Sequence, residues 1–150
     1  MMQMRCKLRG GITVFLALMM SVISMFILAL SKSARLYSAR CEAESAMDNA
    51  VRSCFAEYDK ELFDDEHILL IDSSYKGEEA AIDMIEEHFM TYLENSLSQN
   101  EVSSVEITDA KGPEDRVGMY NSLTFKAVFD NAYSGEYSLT RKYAYDPSDM

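Results

Sequence analysis

The longest apolar pattern in the chain runs from Ile12 to Leu30 and contains 19 residues without a charge, a proline or a glycine. As an α-helix this segment would be roughly 28 Å long, which matches the hydrocarbon core of a bilayer. Its eleven Leu, Ile, Val and Phe residues favour insertion by about 3 to 7 kcal/mol, before small costs from the polar side chains. The pattern predicts a leader at 1–11, a transmembrane helix at 12–31 and a separate domain at 32–150.

Helical periodicity continues beyond the apolar segment. No glycine lies between Gly11 and Gly77, and the first proline is Pro113, so nothing local ends the helix at the membrane surface. We therefore predict one helix from Ile12 to about Leu62, membrane-spanning in its first half and amphipathic in its second. Apolar residues in the second half recur at spacings of three and four, at Leu36, Ala39, Ala43, Met47, Ala50, Val51, Cys54, Tyr58 and Leu62. We expect this stripe to cover a protein core, with a coiled coil as the alternative.

The remaining elements change from helical to alternating periodicity. A short apolar run at 67–71 predicts a buried strand, and a second helix is predicted from Glu78 to about Leu97. Alternation around Val105 and over 123–129 and 137–145 predicts three strands, separated by turns. The expected fold class is α+β, with the long N-terminal helix packed on a small, mostly antiparallel sheet together with the second helix.

Charge divides the chain into two unlike parts. The first 40 residues contain six basic and no acidic residues, whereas the remaining 110 contain 8 basic and 25 acidic residues and carry a net charge of −17. Nucleic acid is disfavoured as a partner, because binding its phosphates requires clustered Lys and Arg and this domain is strongly negative. Basic residues flank the apolar segment almost equally, but a short leader normally stays in the cytoplasm. We expect the N-terminus inside and the acidic domain outside the membrane.

Candidate catalytic and metal-binding residues are few. The densest acidic stretch, 57–66, lacks the alternating ligands and the central glycine of an EF-hand loop, so we expect a solvated helix end there. His67 and His88 are the only histidines, and neither lies in a zinc-binding pattern. The sequence contains no phosphate-binding glycine loop and no nucleophile–base motif. It therefore predicts no catalytic, cofactor-binding or metal-binding residue, and a protein that is not an enzyme.

The three cysteines do not form a disulfide framework. On one helix, Cys41 and Cys54 would lie about 20 Å apart, beyond bridging distance. We expect both to be small packing residues.

Two features of the membrane segment suggest processing and assembly. Gly10 and Gly11 stand directly before the apolar run, where they would be either a prepilin-type cleavage junction or simply the entry to the helix. A secretory signal would instead be cut after the apolar segment, near Ala29 to Ser31. Within the segment a ridge of small residues recurs every fourth position and would allow close helix packing: Thr13, Ala17 and Ser21.

Three segments carry a family resemblance: RGGITVFLAL at 9–18, SARLYSARCEAESAMDNAVRSCFAEYDKELF at 33–63 and LLIDSSYKG at 69–77. Over about residues 5–98 the chain resembles the TadE-like, pilin-like membrane proteins of tight-adherence (Flp/Tad) pilus loci, especially clostridial proteins with a domain of unknown function. The resemblance implies a pilin-like fold and assigns the prepilin-peptidase junction to Gly10 or Gly11. Many relatives carry a glutamate near the start of the apolar helix, where this chain has Val14, Phe15 and Leu16.

The expected function is that of a single-pass, pilin-like minor subunit or assembly factor of a bacterial Tad or type IV-like pilus or secretion system. Its location would be the bacterial cytoplasmic membrane. Its expected partners are membrane lipid and other pilin-like or pilus-assembly membrane proteins, with self-association left open. The alternative is a membrane-tethered extracellular binding module whose anchor is passive.

Overall fold

The computed structural model describes residues 3–74, 82–114 and 117–145, and it confirms the α+β class. In chain order the helices are α1 (Gln3–Ala56), α2 (Lys60–Glu66) and α3 (Ile82–Ser96). The strands are β1 (Ile71–Asp72), β2 (Glu101–Lys111), β3 (Met119–Tyr120), β4 (Ser122–Asp130) and β5 (Tyr137–Ala144). The chain divides into two compact units, residues 1–38 and residues 39–150, and we refer to the second as the head.

The main sheet of the head is antiparallel, with the strand order β2-β4-β5. Phe125 of β4 lies opposite Ile107 of β2 and Arg141 of β5. The turn between β4 and β5 ends at Gly135, whose φ of 67° suits glycine and whose N–H donates to the carbonyl of Asn131 at 2.8 Å. The alternation that predicted β4 and β5 is confirmed, because their odd-numbered residues face the core.

The core of the head lies between the sheet and two helices. One stripe of α1 and one stripe of α3 are buried against β4, and Phe89 of α3 stacks on Phe125 with ring centroids 4.2 Å apart. The α1 stripe therefore covers the core of its own chain, as expected, rather than forming a coiled coil. The fully buried members of this core include Ala43, Met47, Ala50 and Cys54 of α1, Ile85, Phe89 and Leu93 of α3, and Leu123, Phe125, Ala127 and Phe129 of β4.

The prediction that α1 continues to about Leu62 is wrong, because the helix ends at Ala56 and a separate short helix follows. Asp59 caps α2 by accepting hydrogen bonds from the N–H groups of Glu61 at 2.9 Å and Leu62 at 3.3 Å. Such a cap satisfies N–H groups that have no partner inside the helix and thus favours a new helix start. An isolated antiparallel β-bridge between Tyr58 and Ile71 stabilises the interruption between α1 and α2.

The predicted strand at 67–71 is mostly irregular, since only Ile71 and Asp72 form β1. These residues pair with Tyr120 and Met119 of β3 in a second, two-stranded sheet that the alternation pattern did not indicate. The start of the second helix, placed at Glu78 by sequence, lies outside the described residues.

The two helical cysteines occupy different environments. Both thiols are free, with Cys54 buried and Cys41 exposed. The expectation of a packing role is confirmed for Cys54 and wrong for Cys41, because Cys41 lies on the outer surface of α1.

Candidate functional site

The apolar segment of α1 is the largest unburied feature among the described residues. Every residue from Gly10 to Ser31 is exposed, and within this range fourteen large apolar side chains are between 49% and 73% exposed. A continuous apolar surface of this size marks an interaction site with a membrane or a protein, because water contact costs free energy over the whole area. By length and composition this helix is compatible with a single membrane span.

The hydroxyl groups of Thr13 and Ser24 in this segment, and that of Ser31 directly after it, have partners within the helix. Thr13 donates to the carbonyl of Gly10 at 2.9 Å, Ser24 to that of Met20 at 2.8 Å, and Ser31 to that of Ile27 at 2.8 Å. A hydroxyl that is satisfied by the backbone of its own helix costs less to place in lipid. These bonds reduce the insertion penalty that the sequence assigns to Thr13 and Ser24.

The predicted packing ridge lies on this exposed surface. Thr13, Ala17 and Ser21 are all exposed, and their four-residue spacing within α1 places them along one side of the helix. The structure thus leaves the ridge accessible to another helix, and packing there remains a prediction.

The two glycines lie inside α1, because the helix begins at Gln3. The interpretation of Gly10 and Gly11 as the entry to the helix is therefore wrong. A Cβ atom added at either position would meet no heavy atom within 4 Å, so packing does not require glycine there. Each glycine also costs the helix about 1 kcal/mol relative to alanine.

A network of hydrogen bonds anchors α1 at Ala39, the residue at which the head begins. The Nδ2 group of Asn131 donates to Oδ1 of Asn100 at 2.5 Å, and the Nδ2 group of Asn100 donates to the carbonyl of Ala39 at 2.8 Å. Both asparagines are buried, where an unmade hydrogen bond would cost about 1–3 kcal/mol. The network thus joins α1 to the loop before β2 and to the turn after β4.

A second contact holds the same part of α1. Glu42 accepts hydrogen bonds from the N–H group of Ser98 at 2.8 Å and from its hydroxyl at 2.5 Å. The hydroxyl bond, followed by the backbone bond, lowers the pKa of the Glu42 carboxyl. Sequence patterns did not identify these contacts, because Glu42 and Ser98 are ordinary surface residues until the fold brings them together.

A titratable cluster joins the end of α1 to α3. One carboxylate oxygen of Glu57 lies 3.0 Å from Nδ1 of His88, and the other accepts a hydrogen bond from the hydroxyl of Tyr92. That bond, with burial and the Glu57 charge, raises the pKa of Tyr92 to about 12. Burial, followed by the nearby Glu57 charge, raises the pKa of the Cys54 thiol from 9.0 to about 12. This thiol is therefore protonated at neutral pH and is not an activated nucleophile.

Neighbouring polar residues of α3 point to different partners, as expected for consecutive helix positions. His88 contacts Glu57, whereas Glu86 accepts a hydrogen bond from the N–H group of Ile107 at 2.8 Å. Within the described residues no group of three or more His, Cys, Asp or Glu side chains is arranged to hold a metal ion.

Comparisons with protein-family models, with curated proteins and with solved structures give no match for this chain.

Burial of the Cys54 thiol predicts that the head loses stability in alkali. The folded state binds this proton more tightly than the unfolded state, so the contribution is fully present below about pH 9 and is lost as the pH rises towards 12. Denaturant unfolding of the fragment 36–150 should therefore give a free energy that falls between about pH 8 and pH 11. Cys54→Ala should make that fall shallower, and an unchanged slope would contradict this assignment. Cys41→Ala, which removes the exposed thiol, is the matched control.

Charges placed in the middle of the apolar segment should prevent stable membrane insertion. Val22→Arg together with Ile23→Arg costs about 6–8 kcal/mol, which is enough to cancel most or all of the segment's gain of about 3–7 kcal/mol. We expect the wild-type chain to resist alkaline extraction from membranes and the double arginine variant to be extracted. The matched control, Val22→Leu with Ile23→Leu, should resist extraction like the wild type. Equal retention of all three chains would argue against a membrane span.

Proposed function

We propose that this chain is a single-pass, membrane-anchored subunit or assembly factor of a bacterial pilus or secretion system, with pilin-like organisation. The observation that carries the proposal is the exposed apolar segment of α1, which lies on the same helix as the buried stripe of the head. One helix that offers an apolar surface in its first part and covers a sheet with its second is the arrangement implied by the TadE-like resemblance.

The glycines before the segment support the processing part of the proposal. Gly10 and Gly11 weaken the helix, yet no neighbouring atom requires a residue without a side chain at either position. Recognition by a prepilin-type peptidase would account for both. In the proposed orientation the leader remains in the cytoplasm and the acidic head lies outside the bacterial cytoplasmic membrane.

Processing is tested at the N-terminus of the mature protein. In a host with an active prepilin peptidase, we expect the mature chain to begin at Gly11 or Ile12, as measured by mass spectrometry of the purified protein. Gly10→Ala combined with Gly11→Ala should block cleavage without disturbing the helix, because the added methyl groups meet no atom within 4 Å. A wild-type chain that keeps its leader in such a host would restrict the proposal to an uncleaved assembly factor.

Assembly through the small-residue ridge is tested by crosslinking in the membrane. Ala17→Leu combined with Ser21→Leu adds bulk where helices would approach closely, and we expect the yield of crosslinks to other membrane subunits to fall severalfold. Met19→Leu combined with Val22→Leu alters the opposite side of the helix and should leave the yield unchanged. Equal yields for both double variants would favour the alternative, a tethered binding module with a passive anchor.

A further inference from the structure

The two edges of the main sheet differ in how they are covered. On β2, the outward N–H group of Ile107 donates to Glu86 of α3 at 2.8 Å, so a side chain of this helix occupies that edge. On β5, the N–H group of Tyr145 donates to the carbonyl of Asn121 at 3.0 Å. Together with the pairing of Leu123 with Tyr143, this bond shows that the odd-numbered residues of β5 share their hydrogen bonds with β4.

The even-numbered residues of β5 therefore direct their N–H and C=O groups away from the sheet. All four are exposed, namely Ser138, Thr140, Lys142 and Ala144. The carbonyl of Thr140 receives a long contact, 3.4 Å, from the guanidinium group of Arg141. Within the described part of the chain no other strand pairs with this edge. Unpaired edges of this kind accept an extended segment through main-chain hydrogen bonds.

A cationic cleft runs beside this edge on the helix side of the sheet. Its volume is about 200 Å³, and it is lined by Asp48, Val51 and Arg52 of α1 and by Arg141, Lys142 and Tyr143 of β5. Three of the eight basic residues after residue 40 thus border this cleft, although Lys142, an even-numbered residue of β5, turns its side chain to the face opposite α1.

The cations of the cleft differ in how far they are neutralised. Arg141 binds Asp48 at 2.8 Å and lies 3.7 Å from Glu44. Among the described residues, Arg52 and Lys142 form no ion pair, and both are exposed. A carboxylate placed beside Arg52 on the helix side, or beside Lys142 on the opposite face, would therefore gain attraction without displacing an existing partner.

A second cleft borders β5 on the opposite face of the sheet. It has a volume of about 330 Å³ and is lined by Lys126, Val128, Glu136, Tyr137 and Ser138. Successive side chains of an added strand point to opposite faces. One set of its side chains would therefore meet the cationic cleft and the other set the second cleft.

We propose that the free edge of β5 is an acceptor site for an extended peptide segment that carries acidic side chains. Main-chain hydrogen bonds to Ser138, Thr140 and Lys142 hold the segment, and Arg52 and Lys142 select its carboxylates. The proposal goes beyond the anchoring role and does not depend on it.

The test uses the full chain in detergent micelles and two fluorescein-labelled peptides, read by fluorescence anisotropy. The first peptide alternates valine and glutamate, and the second replaces every glutamate by lysine. We expect saturable binding of the glutamate peptide only. Arg52→Ala with Lys142→Ala should weaken that binding by about tenfold or more, whereas Lys60→Ala with Lys111→Ala, which removes two exposed lysines elsewhere on the head, should not.

A second pair of variants separates backbone pairing from simple charge attraction. Thr140→Pro removes one outward N–H group and places a ring at the edge, and proline is tolerated on edge strands where the N–H faces solvent. We expect this variant to lose binding, whereas Thr140→Val should bind as the wild type does. Circular dichroism of both variants verifies that they are folded.

Three results would overturn the proposal. They are equal binding of the two peptides, undiminished binding by Arg52→Ala with Lys142→Ala, and the absence of saturable binding at millimolar peptide. If the wild-type chain instead self-associates in micelles, binds no peptide, and loses self-association with Thr140→Pro, the occupant of the edge is a second copy rather than an acidic segment.

Discussion

Burial of one stripe of α1 against β4 is the interaction on which the rest of the head depends. The stripe consists largely of small residues, and Met47, Phe89 and Phe125 supply the larger side chains of the core between the helices and the sheet. Each of these larger side chains contributes about 1.5–3 kcal/mol through burial. Without α1 the apolar face of a three-stranded sheet would be covered only by α3, and the head would have half of its helical layer.

The two parts of α1 differ in how their side chains are exposed. Its apolar segment is exposed around its whole circumference, whereas its second part has one buried stripe and an outer face that includes Cys41 and Asp48. Buried asparagine contacts at Ala39 and the Glu42–Ser98 hydrogen bonds lie at the start of the second part. Polar bonds at this point fix where α1 enters the core, because apolar packing of small residues alone specifies the register along a helix only weakly.

The sheet is asymmetric in its edges, and this asymmetry follows from where α3 lies. Glu86 covers an N–H group of β2, so the outward groups of β5 form the more accessible edge. Charge reinforces the difference, because Arg52 of α1 lies beside β5 and Arg141 belongs to β5, although acidic residues dominate the domain. An accessible edge promotes pairing between chains unless it is blocked, so β5 is the edge of this sheet that is open to another segment.

Sequence by itself determined the features that depend on local periodicity. The apolar segment, the helical stripe from Ala39 to Cys54, the buried face of α3 and the alternation of β4 and β5 each follow from the spacing of apolar residues, since burial requires one face to be apolar. The placement of the small-residue ridge within the helix also follows from the sequence, whereas the inclusion of Gly10 and Gly11 in α1 does not.

Only the tertiary structure decided what depends on residues far apart in sequence. The end of α1 at Ala56 results from a cap at Asp59 and from a bridge to Ile71, neither of which interrupts the apolar periodicity. The strand pairing of β1 with β3, the asparagine network and the cleft beside β5 join segments that are separated by tens of residues. No local pattern encodes such contacts, because each polar side chain acquires its partner only when burial of the apolar faces has brought the segments together.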